Sequence, residues 1–326
     1  MTNTPTIMIL MATYNGEHYI KEQLDSLLRQ TYTNWKLMIR DDGSADNTIA
    51  IATGYTHRHT NISLQINHTS IKGARSNFAA LYDMAAKSND TRYIMFCDQD
   101  DIWLPEKIEK TLATMQEAEI QYPTVPIMVY GNLELMTSSG GFLDEQIRLM
   151  PRMDFNHTIA QNYAFGCTMM INKPLITAID HIPTEAQNHD YWISLTATAL
   201  GRAVYISEKL IRYRQHELNV TAQGAGFKKR IVRFTTGFKR QLTAFRSQIT
   251  MLEKFLHIFD GKLTDDKKLM LESYLKAYRT GRLALLRVMK KHKIYKLGLM
   301  QNIGLLYTVM LFYKKLNPGM GDEREL

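Results

Sequence analysis

Tyr93-Ile94-Met95-Phe96-Cys97-Asp98-Gln99-Asp100-Asp101-Ile102-Trp103 joins two opposite kinds of chain. Its first five residues are uninterrupted apolar or aromatic chain. A run this short, bounded by polar residues, reads as a strand buried on both faces, the kind that parallel sheets use. The next four hold three carboxyl groups. Carboxylates this close repel one another unless positive charge sits among them. Hard oxygen ligands of this kind suit Mg²⁺ or Mn²⁺. An ordinary role stands beside that one, because acidic loops also cap helices. Asp101 fits it, with a helix read over residues 105–121 and Pro105 suited to its first turn.

The same pattern recurs on either side. Residues 7–12 are an apolar run ending at Thr13-Tyr14-Asn15, and Asn15-Gly16 breaks the chain. Ile20, Leu24, Leu27 and Leu28 then line one helical face. Residues 35–39 form a second strand that runs into Asp41-Asp42-Gly43-Ser44, with a helix over 46–53 capped by Ser44 or Asp46. Further strands are read at 62–66 and 126–130, and a further helix at 77–87. Strands alternating with helices predict an α/β fold with a mostly parallel sheet covered on both faces. Ligands of such sheets bind outside the carboxyl ends of the strands. The polar clusters at residues 13–15, 41–42 and 98–101 all fall there.

Composition excludes much else. Across 326 residues, 45% are apolar and 22% charged, which rules out wholesale disorder. Two cysteines, Cys97 and Cys167, rule out a disulfide scaffold and a four-cysteine zinc site; both read as buried apolar fillers. There is no G-x-x-x-x-G-K-[ST] loop and no G-x-G-x-x-G after a strand, which argues against a P-loop NTPase and an NAD(P) enzyme. A nucleotide held through acidic residues and a bridging metal remains. Residues 1–6 are polar with no basic residue, which predicts no secretory leader and a cytosolic protein.

Charge divides the chain. Residues 1–226 carry 18 basic and 24 acidic side chains, a balance of −6; residues 227–317 carry 21 against 5, a balance of +16. The shift predicts a domain at 1–226 and a helical basic extension at 227–326, separated near Ala222-Gln223-Gly224-Ala225-Gly226.

The ordered set Ala12-Thr13-Tyr14-Asn15, Asp41-Asp42-Gly43-Ser44, Asp98-Gln99-Asp100-Asp101-Ile102-Trp103, Gly166-Cys167-Thr168, His189-Asp190-Tyr191-Trp192 and Tyr213-Arg214-Gln215-His216 with Asn219 resembles glycosyltransferase family 2. Those enzymes are inverting and have a GT-A fold, Rossmann-like in its sheet. Within the family the pattern is similar to bacterial rhamnosyltransferases of cell-surface polysaccharide synthesis. The resemblance implies that Ala12, Thr13, Tyr14, Asn15 and Asp42 hold the base and ribose of a nucleotide sugar. Asp98 and Gln99 would join them, and Arg75 would contact a phosphate unless it is an ordinary surface arginine. Asp100 would ligate Mn²⁺ or Mg²⁺, with Asp98 as a further candidate. His216 would complete the metal site, or else sit in a surface loop. Asp190 would be the catalytic base; an N-cap role before Tyr191 is compatible with that. Trp103 and Trp192 are candidates for stacking on sugar rings, or for the core. The sequence departs from the commoner pattern at Tyr191 and Asn132.

The extension holds its most apolar chain at residues 297–313, flanked by Lys290, Lys291, Lys293, Lys296, Lys314 and Lys315. That is too short for a comfortable membrane span, which needs about 20 residues. It reads as a helix lying on an anionic membrane surface, peripheral on the inner face, where a polyprenyl-linked or saccharide acceptor would be met. The alternative is packing on the catalytic domain or on a second copy in a homodimer. The resemblance implies dTDP-rhamnose as donor; the alternative is the same chemistry with a UDP-hexose, of galactose, glucose or N-acetylglucosamine. A nucleic-acid-binding protein is the competing class, but the extension lacks a helix-turn-helix, zinc-finger or RNP pattern, and no nucleic acid is expected.

Overall fold

The computed structural model describes residues 4–88, 90–144, 151–216 and 227–316, with the side chains of 227–241, 312 and 314–316 excepted. Asn219 and the glycine-rich stretch at 222–226 lie outside the described residues. The chain forms two compact units. The first comprises Met1–Arg152, Tyr163–Thr184 and Asn188–Ala222; the second comprises Met153–Asn162, Glu185–Gln187 and Gln223–Leu326.

The first unit begins with β1 (Ile7–Thr13), α1 (Ile20–Leu28), β2 (Trp35–Asp41), α2 (Thr48–Arg58), β3 (Ile62–Ile66), α3 (Ala74–Ala86) and β4 (Tyr93–Cys97). β1 and β4 are almost wholly buried, as continuous apolar runs demand. β3 alternates polar residues because it is an edge strand. α1 turns Ile20, Leu24 and Leu27 to the core. β5 (Ile102–Trp103), α4 (Lys107–Gln121) and β6 (Ile127–Thr137) follow. After α5 (Phe155–Ala160), which belongs to the second unit, come β7 (Met170–Asn172), α6 (Lys173–Ile179), α7 (His189–Leu200) and β8 (Arg202–Gln215).

The sheet has the order β3-β2-β1-β4-β7-β6-β8-β5. Four of its seven pairings are parallel. β7 runs antiparallel to both β4 and β6, and β5 antiparallel to β8, so the sheet is mixed at its second half. Register explains why the sequence clusters meet. Thr13 lies beside Asp41, and Met11 beside Cys97, so three parallel strands end together at one edge. The switch in strand order beside β1 opens there, where ligands of open α/β sheets bind.

The second unit is helical: α5 with α8 (Phe227–Phe259), α9 (Asp265–Thr280), α10 (Arg282–His292) and α11 (Leu299–Leu316). Phe155 packs on Phe255, and the buried Gln248 amide donates to the Ile159 and Ala160 carbonyls. α11 buries Leu305, Val309 and Tyr313, and the Tyr313 hydroxyl donates to the Tyr278 carbonyl. No helix among the described residues is long and apolar enough to cross a membrane.

Candidate active site

The ends of β1 and β2 are tied by side chains rather than by loops alone. The buried Asp41 carboxylate accepts from Thr13 Oγ1 at 2.7 Å, from the Gly43 and Ser44 amides, and from Ser44 Oγ. Asn15 takes a left-handed conformation at φ 46°, a region that Asn tolerates better than most residues. Its amide donates to Ser44 Oγ, and its Oδ1 accepts from the Ala45 amide. Asp42 is buried, and both of its oxygens are engaged: Oδ1 accepts from Asn67 Nδ2 at 2.7 Å, Oδ2 from the Gly73 amide at 2.6 Å. Asp42 therefore holds residues 67–73 against the strand ends. Tyr14 is exposed, and Gln99 bridges to its main chain, accepting from the amide and donating to the carbonyl. Ala12 is part-buried beside Arg40. Arg75 sits exposed in the first turn of α3.

The acidic knot splits by side-chain direction. Asp100 Oδ2 lies 2.7 Å from His216 Nε2, although 116 residues separate them. The His216 ring stacks on Tyr19, with centroids 5.0 Å apart. Asp98, Asp101 and Cys167 form the second group, their potential ligand atoms all within 4.8 Å of one another. Burial pushes the Asp98 carboxyl upward, and the Asp100 and Asp190 carboxylates push it further. Burial likewise raises Asp101, with Asp100 and Asp98 adding to it. Protonation-prone carboxyls packed this densely are a functional-site signature. A carboxylate oxygen and an imidazole nitrogen this close fit a divalent ion such as Mn²⁺ in donor chemistry.

Asp101 does not cap α4. That helix starts at Lys107, and Asp101 Oδ1 instead accepts the Arg214 amide at 3.0 Å. The β-strand pair β5–β8 intervenes, so the acidic loop turns back toward β8 before the helix begins.

Asp190 lies in the first turn of α7. Burial pushes its carboxyl up to about 6, partly offset by the backbone amides of Tyr191, Gly166 and Asp190 itself. Oδ1 is shielded from solvent without a hydrogen-bond partner. Such a group is poised to accept a proton. Its neighbour His189 is wedged between Phe78 and Phe96, at ring-centroid distances of 4.1 and 5.0 Å. Burial pushes that imidazole down to about 3, so it stays neutral and serves as a wedge. Gly166 lies against it: a Cβ there would come within 2.5 Å of His189 Nε2. Asp190 also acts on Asp98 electrostatically, which puts α7 and the acidic loop at one site.

Other candidates go elsewhere. Trp103 and Trp192 are buried to within 1% of complete, so both belong to the core rather than to a sugar platform. Cys97 and Cys167 are fully buried, and burial pushes their thiols upward. Asn132 sits at a bulge in β6 and donates to the Ser207 carbonyl. Tyr19, Glu22 and Arg214 shape the site, yet the sequence assigns them no role. The one usable signal was Arg214 itself: an arginine within a strand needs several partners once it is buried.

Comparison with known proteins identifies relatives of the chain and of its fold. Residues 8–177 match the glycosyl transferase family 2 domain. An Escherichia coli protein, UDP-Glc:alpha-D-GlcNAc-diphosphoundecaprenol beta-1,3-glucosyltransferase WfgD, is 30% identical over 193 residues, covering 58% of this chain and 69% of that one. The dTDP-rhamnosyl transferase RfbG of Shigella flexneri is 28% identical, covering 68% and 77%. Among solved structures, S. aureus TarS 1-349 in complex with UDP-GlcNAc superposes with a TM-score of 0.58 at 12% identity, over 88% of this chain and 80% of that one. Mannosyltransferase PcManGT from Pyrobaculum calidifontis, in complex with GDP-Man and Mn²⁺, gives 0.53 at 17% identity over 97% and 83%. The strand-end clusters, the acidic loop and the first turn of α7 thus stand in the fold that those transferases share, and the chain belongs to glycosyltransferase family 2.

Proposed function

We infer that the chain is an inverting, metal-dependent transferase that moves L-rhamnose from dTDP-rhamnose onto a saccharide or polyprenyl-linked acceptor in cell-surface polysaccharide synthesis. The observation that carries the reaction class is Asp190: a raised carboxyl with one unpartnered, shielded oxygen, next to the Asp98–Asp101 loop. Asp190 takes the proton of the acceptor hydroxyl as its oxygen attacks the anomeric carbon. The new glycosidic bond forms from the side opposite the departing nucleoside diphosphate, whose bond to that carbon breaks with its electron pair, giving inversion. Asp100 and His216, with Asp98 beside them, would hold Mn²⁺ or Mg²⁺, which when bound offsets charge on the leaving diphosphate. Asp41 and Asp42 would preset the backbone of the nucleotide pocket, with Thr13, Tyr14, Asn15 and Gln99 on its rim; Arg75, exposed at the start of α3, would contact a phosphate.

Rhamnose as donor is supported by the match to RfbG, which spans most of both chains. A second reading, UDP-glucose, is favoured by the higher identity to WfgD. Calorimetry decides between them. With Mn²⁺, dTDP-rhamnose binds and UDP-glucose does not, and EDTA abolishes binding. The reverse order of affinity replaces rhamnose with glucose, and binding unaffected by EDTA overturns the metal dependence.

The second unit supports peripheral attachment to the inner face of the membrane. α11 exposes Leu299, Met300, Ile303, Leu306, Tyr307 and Leu311 in one stripe at helical spacing. The segment that contains it, residues 227–317, carries a balance of +16 in sequence, which suits anionic headgroups better than a second copy of the same basic segment. Flotation with anionic vesicles tests it: wild type floats, Ile303→Glu/Leu306→Glu stays below. Equal flotation of both, or dimerisation of wild type lost in that variant, replaces the membrane with another surface.

A further inference from the structure

We propose that Arg214 is a positioning residue that locks the acidic loop to β8, so that Asp100 and His216 face each other before any ligand arrives. The inference rests on the reading of those two as metal ligands. Arg214 is 2% exposed and is bound from both its side chain and its main chain. Nε donates to the Asp100 carbonyl at 2.8 Å, Nη1 to the Ser138 carbonyl at 2.9 Å, and Nη2 to the Glu22 carboxylate. Its amide donates to Asp101 Oδ1, so the loop is gripped at two consecutive residues. The guanidinium also lies over the Tyr19 ring at 4.7 Å, and that same ring stacks on His216.

Four segments therefore converge on one planar fork: the start of α1, the loop after β4, the turn after β6 and the end of β8. Local sequence does not bring them together. β5 pairs with β8 only through Ile102 and Trp103, two residues of ladder, which is a short tether for a loop of mutually repelling carboxylates. Without the fork, Asp100 would be free to swing from its partner, and metal binding would have to order the loop at its own expense. Preorganised donors avoid that cost. His216 lies two residues past Arg214 on the same strand end, so both members of the pair share one anchor. Lysine cannot replace it, because one ammonium does not present three donors in a plane.

The test compares Mn²⁺ binding, followed by the electron paramagnetic resonance signal of free Mn²⁺, in wild type, Arg214→Lys, Glu22→Gln and Asp100→Ala. Groups that orient metal ligands are worth about 10–100-fold in affinity. Arg214→Lys is expected to weaken Mn²⁺ binding by about that much, while saturating Mn²⁺ restores most of kcat. Glu22→Gln removes only the half-exposed anchor of the fork, keeps the buried cation paired to carbonyls, and should weaken binding less, in the same direction. Circular dichroism establishes that each variant is folded; if Arg214→Lys is not, Glu22→Gln carries the test. Wild-type Mn²⁺ affinity in the folded variants, with Asp100→Ala impaired, overturns the positioning role alone. Unchanged affinity in Asp100→Ala overturns the metal reading and the proposal with it.

Discussion

Replacing Asp190 by Asn should abolish transfer and make the protein more stable at neutral pH. The carboxyl is raised from an ordinary 3.8 to about 6, first by burial. A group raised in the folded state carries a penalty in its charged form. That penalty is present in full above the folded value and gone below the unfolded one. Two units correspond to about 3 kcal/mol at about 1.4 kcal/mol per unit. Asp190 keeps part of its surface in solvent, so about 1–2 kcal/mol is the realistic size. Asn has the same shape and still accepts from the Gly166 and Tyr191 amides, so the change removes charge with little else. Urea unfolding in EDTA, followed by tryptophan fluorescence, is the assay, because Trp35, Trp103 and Trp192 all lie buried in the first unit. At pH 7.5 the Asn variant should be more stable by that amount. Toward pH 4, where wild-type Asp190 is protonated, the two should converge. Removing the Asp190 charge also relieves Asp98, which it pushes upward, and that change adds to the stabilisation in the same direction. An Asn variant no more stable at pH 7.5, or a gap that does not change with pH, refutes the reasoning.

The same carboxyl sets the pH profile: kcat/KM should fall about tenfold per unit below about pH 6 and level off above it, and a rate unchanged down to pH 5 excludes Asp190 as the base. Gly166→Ala forces a Cβ to within 2.5 Å of His189 Nε2; shifting the His189–Asp190 turn should cost about 100-fold in kcat and about 1–3 kcal/mol of stability, measured by steady-state kinetics and urea unfolding. Asp42→Ala breaks the hydrogen bonds to Asn67 and Gly73, so nucleotide affinity in calorimetry should fall more than tenfold while Mn²⁺ binding alone is retained.

What was legible in the sequence was whatever depends on neighbours along the chain. Buried parallel strands announce themselves as short apolar runs, because both faces are covered, and β4 occupies the predicted residues 93–97. The chain leaves such strands at their carboxyl ends with the polar residues the site needs, so clusters at 13–15, 41–42 and 98–101 were visible as candidates. α4, by contrast, begins two residues after Pro105, and β6 continues seven residues beyond Tyr130, because pairing with β8 extends it. The apolar stretch of the extension was also plain, but not its division into a packed face at Leu305, Val309 and Tyr313 and an exposed one at Leu299, Ile303 and Leu306.

Only the tertiary structure decided which carboxylate does what. Asp41 and Asp42 are adjacent, yet one ties β1 to β2 and the other holds residues 67–73. Asp100 and Asp101 are adjacent, yet one meets His216 and the other the Arg214 amide, more than a hundred residues on. At the end of β2 neighbouring side chains point to opposite sides, which separates Asp41 from Asp42; a bend before β5 separates Asp100 from Asp101. Their surroundings come from sheet order: β8 lies between β6 and β5, and its end is thereby set against the acidic loop. No local period encodes that placement. The sequence determined that carboxylates would gather where parallel strands end; the order of strands around them decided which would meet His216, which would bind the backbone, and which was left with an oxygen shielded and unpartnered.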